Sequence, residues 1–105
     1  MKLEVRKARA AAVTANLAAQ AAVAARELLE KDPSAWEVGD AAYWFCRAAQ
    51  KACENAADEL DPEEAETNAD VFAAHLIASS AAQEACDQAD ELVSLAEKLN
   101  HEIRR

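Results

Sequence analysis

A chain of 105 residues has the length of one domain, and 29 of its residues are alanine. One glycine, two prolines and few aromatic or β-branched residues exclude collagen-like, sandwich, barrel and dinucleotide-binding α/β folds, which need glycine turns and valine-rich strands. A net charge of −9 argues against a nucleic-acid binder, whose affinity comes from a basic face. Alanine, leucine, glutamate and arginine favour helix, so the composition leaves an all-helical soluble domain.

The first predicted helix covers about residues 2–31. It opens with a basic cluster, Lys2, Arg6, Lys7 and Arg9, interrupted by Glu4. Residues 10–25 then carry no charge, and only Asn16 and Gln20 make a narrow polar stripe. A membrane span needs about twenty clearly apolar residues, and this alanine-rich stretch is too short and too weakly hydrophobic. No secretory leader is expected, so the chain is expected in the cytoplasm.

Lys31-Asp32-Pro33-Ser34 punctuates the chain. An aspartate that caps free amides and a proline at the first helical position start a helix over about residues 33–60, with Ser34 and Glu37 at capping-box spacing. At 100° per residue, Val38, Ala42, Phe45, Ala49, Cys53, Ala56 and Leu60 share its apolar side. Asp40, Arg47, Lys51, Glu54 and Asp58 share the other. Trp44 falls on the polar side, with Trp36 and Tyr43 flanking it.

A second Asp-Pro pair, Asp61-Pro62, starts a third helix over about residues 62–104, and Asp61 with Glu64 again fits a capping box. Loops this short make neighbouring helices antiparallel. The expected fold is therefore all-α, an antiparallel three-helix up-down-up bundle with an extended third helix, in one domain over residues 1–105. In it the basic start of helix 1 meets the acidic block of residues 54–70, which holds no basic residue. The helices also echo one another: Ala18-Ala19-Gln20 returns as Ala48-Ala49-Gln50 and as Ala81-Ala82-Gln83.

Two features ask for a partner. Helix 1 and the uncharged residues 71–82 of helix 3 are apolar on more faces than three helices can cover, and Phe72 and Leu76 point away from Val71, Ala74 and Ala78. Helix 3, at about 64 Å, outruns helix 1, at about 45 Å. Its overhang still carries a seam of Leu92, Leu95, Ala96, Leu99 and Ile103. A second copy of the chain is the simplest partner, most simply in a twofold dimer. The expected contact residues are Val13, Leu17, Val23, Trp44, Phe72, Leu76, Leu92, Leu95, Leu99 and Ile103.

No chemistry stands out. Cys46, Cys53 and Cys86 cannot all pair within the chain and make no CxxC, so they are read as reduced, buried thiols. Phe72 stands where an ExxH motif at His75 would need its glutamate, and His101 has only Glu97, four residues before it and close to the end of the helix. Ser79 and Ser80 lie mid-helix without a nucleophile elbow. No cofactor, metal or enzymatic activity is expected. Trp36, Tyr43, Trp44, Phe45 and Phe72 with His75 remain open between core, subunit contact and a pocket for a small apolar ligand.

The two Asp-Pro turns, the idealised start Asp61-Pro62-Glu63-Glu64-Ala65-Glu66, and helices free of interior proline resemble a de novo designed helical bundle. The resemblance implies a non-enzymatic chain that self-assembles or displays a fold. The three cysteines, Ser79 and Ser80, and the all-round alanine helices depart from the leucine-rich cores of such designs. They leave open a natural alanine-rich bacterial helical protein that binds a small ligand or a peptide.

Overall fold

The computed structural model describes residues 2–103, with side chains from Lys2 to Asn100. All of its regular structure is helical: α1 (Leu3–Lys31), α2 (Trp36–Asp58), α3 (Pro62–Thr67) and α4 (Ala69–Ile103). The three long helices pack on one another in a rod of 58 × 17 × 15 Å. No helix among the described residues is long and apolar enough to cross a membrane.

The interior is built almost wholly of methyl groups. Among the described buried residues only Val5, Leu29, Cys46, Cys53, Leu60, Val71 and Leu92 are larger than alanine. In α1 the buried positions Val5, Ala8, Ala12, Ala15, Ala19 and Ala22 recur every three or four residues, the spacing that keeps one helix face inward. Two clusters fill the rod. One joins Val5 and Ala8 to Ala56, Leu60, Val71 and Ala74; the other joins Ala15, Ala22 and Leu29 to Cys46, Ala85 and Leu92. Residue numbers thus rise together along α1 and α4 and fall along α2.

The first turn departs from expectation. Asp32 does not cap a helix beginning at Pro33. Its Oδ1 accepts hydrogen bonds from the Ser34 amide (3.1 Å) and hydroxyl (2.5 Å), closing a turn over the proline. Ser34 is thereby committed to the turn, the Ser34–Glu37 capping box does not form, and α2 begins at Trp36 after an uncapped Ala35.

The second turn is built as expected at its start and differently beyond it. Asp61 Oδ1 accepts from the Glu63 amide at 2.9 Å, with Pro62 at the first helical position. Glu64 does not complete the capping box; it pairs with Lys2. The expected continuous third helix is broken after six residues, at Asn68, whose φ of −119° and ψ of 110° are extended. Asn68 Oδ1 accepts from the Asp70 amide at 3.0 Å, so this residue ends α3 and caps α4 with its own side chain. Thr67 and Asn68 are poor interior helix residues, and asparagine gains more at a cap than inside a helix.

The break also removes most of the expected overhang. At about 1.5 Å per residue, α4 outruns α1 by about 9 Å rather than about 19 Å. Part of what remains faces the α1–α2 turn, where Pro33 and Trp36 border an open cavity with Ala96, Leu99 and Asn100. Leu92 is 3% exposed, and Leu95 and Leu99 pack half-buried against the same core beside Ala35 and Tyr43. The expected unpartnered seam therefore belongs in large part to the chain's own interior. Ile103 ends α4, its side chain lying outside the described residues, as does Arg104 altogether.

Candidate functional site

The two opposite charge blocks meet at one end of the rod. Lys2 pairs with Glu64, and Lys7 Nζ lies 3.8 Å from Glu59 Oε2. Along the shaft Arg26 reaches across to Glu91 and Gln88 of α4. Two of the four residues of the basic cluster, Lys2 and Lys7, are thus engaged within the chain.

Large apolar side chains stand outside the alanine interior. Val13 (59% exposed), Leu17 (53%), Trp44 (61%), Phe72 (52%) and Leu76 (51%) all face outward, joined by Val23 at the edge of exposure. Arg26 beside Gln88 and Glu91 sets the register of α1 against α4, and it puts Val13 and Leu17 level with Leu76, Ile77 and Ser80. No charged residue interrupts either helix at this level. Ile77 is a member of this outward set that its sequence position did not reveal.

Helix 2 is corrected in the same sense. Val38 and Phe45, assigned to the apolar inner side, are exposed, and Gly39 and Cys46 take the inner positions beside Ala42, Ala49 and Cys53. The inner stripe is turned by one residue because small side chains let the helices approach. The run Gly39, Ala42, Cys46, Ala49, Cys53 already marks that stripe in the sequence, through its small residues rather than its large ones.

The aromatic residues do not form one cluster. Trp36 and Tyr43 line a cleft between α2 and α4 of about 230 Å³ with Leu92, Val93 and Ala96. Tyr43 and Trp44 meet edge to face at 5.1 Å. Phe72 and His75 instead line a separate trough of about 420 Å³ at the far end of the rod. Its floor is Ala57 and Leu60, while Asp58, Asp61 and Glu66 are exposed around it. One wall of that trough is α3, which exists as a wall only because the chain breaks at Asn68.

Between the cleft and the trough lies a polar bridge across α2 and α4. Arg47 Nε donates to the Tyr43 hydroxyl (3.2 Å), Nη1 donates to Gln50 Oε1 (3.0 Å), and Nη2 donates to Asp90 Oδ1 (3.0 Å). The guanidinium also lies 5.3 Å from the centre of the Tyr43 ring and 3.7 Å from Cys86 Sγ. The bond to Tyr43 raises the Arg47 pKa above its ordinary value against the opposing effect of desolvation, and Cys86 and Asp90 add to the rise. A permanent cation so tied is a strut between helices, not a proton donor.

The cysteines divide. Cys46 and Cys53 are buried, and Cys86 is half-buried. Burial pushes the Cys46 thiol up, with Arg47 opposing, and pushes the Cys53 thiol up with Glu54 adding to the effect. Cys46 Sγ donates to the Ala18 carbonyl oxygen of α1 at 3.3 Å, which makes it a packing group. Cys53, His75, Ser79 and Cys86 border one groove of about 260 Å³. Among the described residues no three histidine, cysteine, aspartate or glutamate side chains converge as metal ligands. No protein-family model, curated protein or solved structure matches the chain.

Proposed function

We propose that the chain is a non-enzymatic structural module, an up-down-up bundle of three long helices that pairs with a second copy of itself through the outward faces of α1 and α4. The observation that supports this most is the inversion of side-chain size. Methyl groups fill the interior, while Val13, Leu17, Phe72, Leu76 and Trp44 stand in solvent. Burying one such side chain contributes about 1.5–3 kcal/mol, so water is a costly neighbour for the whole set. The charge pattern agrees. The acidic residues that give the chain its net −9 flank residues 10–25 and 71–83 without entering them, so two copies can meet there without facing like charges. Twofold symmetry lets one such face serve both partners. The idealised Asp61-Pro62 start and proline-free helix interiors support a designed origin for this module.

Sedimentation equilibrium at micromolar concentration tests the proposal. The expected result is a multiple of 11.3 kDa. Leu17→Glu with Leu76→Glu then returns a single chain of unchanged helicity, because neither side chain belongs to the interior. A wild-type chain that sediments as a monomer overturns the proposal.

A second reading rests on the cleft at Trp36 and Tyr43, whose mostly apolar lining suits a small apolar ligand. Native mass spectrometry of freshly purified protein checks it by the mass of any retained molecule.

A further inference from the structure

We propose that the trough enclosed by α2, α3 and α4 receives a cationic amphipathic helix from another protein. Its shape, its lining and its charge each bear on the occupant, and they agree.

The trough of about 420 Å³ shares Ala57, Asp58 and His75 with the neighbouring groove of about 260 Å³. Together they follow α4 from Phe72 to Cys86, which at 1.5 Å per residue is about 21 Å, the length of a helix of about fourteen residues. The floor offers Ala57, Leu60 and Ala65, small or buried groups that let a helix lie close. Phe72 stands half-exposed beside them as an edge for the partner's apolar stripe. An amphipathic helix laid in a groove uses this kind of contact, with apolar anchors three, four and seven residues apart.

Charge decides between occupants. Glu54, Asp58, Asp61 and Glu66 border the two cavities, and no lysine or arginine lines either. A helix with lysine or arginine beside its apolar stripe would be steered in and held in register by these carboxylates. A second copy of this chain is a poor occupant. It brings a net charge of −9, and Lys2 and Lys7 of its basic cluster are engaged with Glu64 and Glu59. The face proposed for self-pairing is uncharged and centred on Leu17 and Leu76, whereas the trough is acidic, so the two surfaces select different partners although Phe72 borders both.

Fluorescence anisotropy of a labelled fourteen-residue peptide of leucine and lysine, with leucines at helical spacing, tests the inference on the full chain. Saturable binding at micromolar peptide is expected. Asp58→Asn with Glu66→Gln should weaken it at least about tenfold, and Phe72→Ala by a similar factor; all three residues are exposed, so helicity should survive and is checked by circular dichroism. Leu17→Glu with Leu76→Glu should leave peptide affinity unchanged, which separates this site from the self-pairing face. Equal binding of a lysine–glycine peptide of the same charge, equal binding of the leucine–glutamate counterpart, or affinity indifferent to the Asp58, Glu66 and Phe72 variants overturns the inference.

Discussion

Gly39 stands so close to Leu29 that a Cβ built on the glycine would lie 2.6 Å from Leu29 Cδ1. Both residues are buried, at the end of the rod where α1 turns into α2. Glycine inside a helix costs about 1 kcal/mol relative to alanine, so this position trades helix propensity for a close approach. Gly39→Ala should regain that amount and lose about 1–3 kcal/mol to overpacking against Leu29, which has no exposed side to swing toward. A net loss of stability in urea unfolding is expected. In a Leu29→Val background, which removes the clashing methyl, the same substitution should be stabilising. Additive effects in the two backgrounds would show that the contact does not govern the position.

Asn68 performs two tasks with one residue, ending α3 and capping α4. Asn68→Ala removes the bond to the Asp70 amide and should cost about 1 kcal/mol, the ordinary loss for an N-cap. Asn68→Ser, which can accept the same bond, should recover most of it. Thermal unfolding of the two variants checks this, with the alanine protein melting lower and the serine protein close to the parent.

Alkaline pH should weaken the fold through the buried thiols. In the unfolded chain Cys46 and Cys53 ionise around the ordinary value of 9.0, while burial holds their protons to higher pH in the folded chain. Their contribution is intact below that value and is lost as pH rises through it toward the raised native values. Urea midpoints measured between about pH 8 and about pH 10.5 should fall, and Cys46→Ala with Cys53→Ala should flatten the decline. The double variant should also start lower, because Cys46 loses its bond to the Ala18 carbonyl and both sites lose volume.

Added salt should raise the melting temperature. The ion pairs Lys7–Glu59 and Arg47–Asp90 each involve an exposed carboxylate, and such pairs contribute little when screened or unscreened. Repulsion within a chain of net charge −9 is the larger effect, and salt weakens it. A rise of a few degrees between about 0.02 M and about 0.3 M sodium chloride is expected. A fall would mean that the ion pairs outweigh the net charge.

The sequence makes the helical class legible because alanine runs and two Asp-Pro pairs leave little else to build. It also makes legible the meeting of Lys2 and Lys7 with the acidic block, since charge blocks at opposite ends of antiparallel neighbours must face each other. Asp61 reads correctly because a proline follows it and nothing nearby competes for its carboxylate. Asp32 reads wrongly because Ser34 does compete. The break at Asn68 is hidden in the sequence because it needs neither glycine nor proline when an asparagine side chain supplies the cap. Val38 and Phe45 read to the wrong side because their size suggests burial, whereas in this interior closeness between backbones decides which residues enter. Leu92 reads as a contact with another chain only while the third helix is continuous from Pro62, which leaves its last turns without a partner. The outward position of Phe72 and Leu76 is legible from their offset to Val71, Ala74 and Ala78, and the trough is not, since its wall depends on the break.

An interior lined by methyl groups also governs how this molecule can change. Every replacement of a buried alanine except glycine is an enlargement, and α1, α2 and α4 lie too near one another to admit it. The scaffold is accordingly almost frozen, whereas the bulky residues that meet the outside world can be exchanged one at a time without disturbing it. Affinity and choice of companion can drift or be re-engineered on the exterior while the rod beneath keeps its shape.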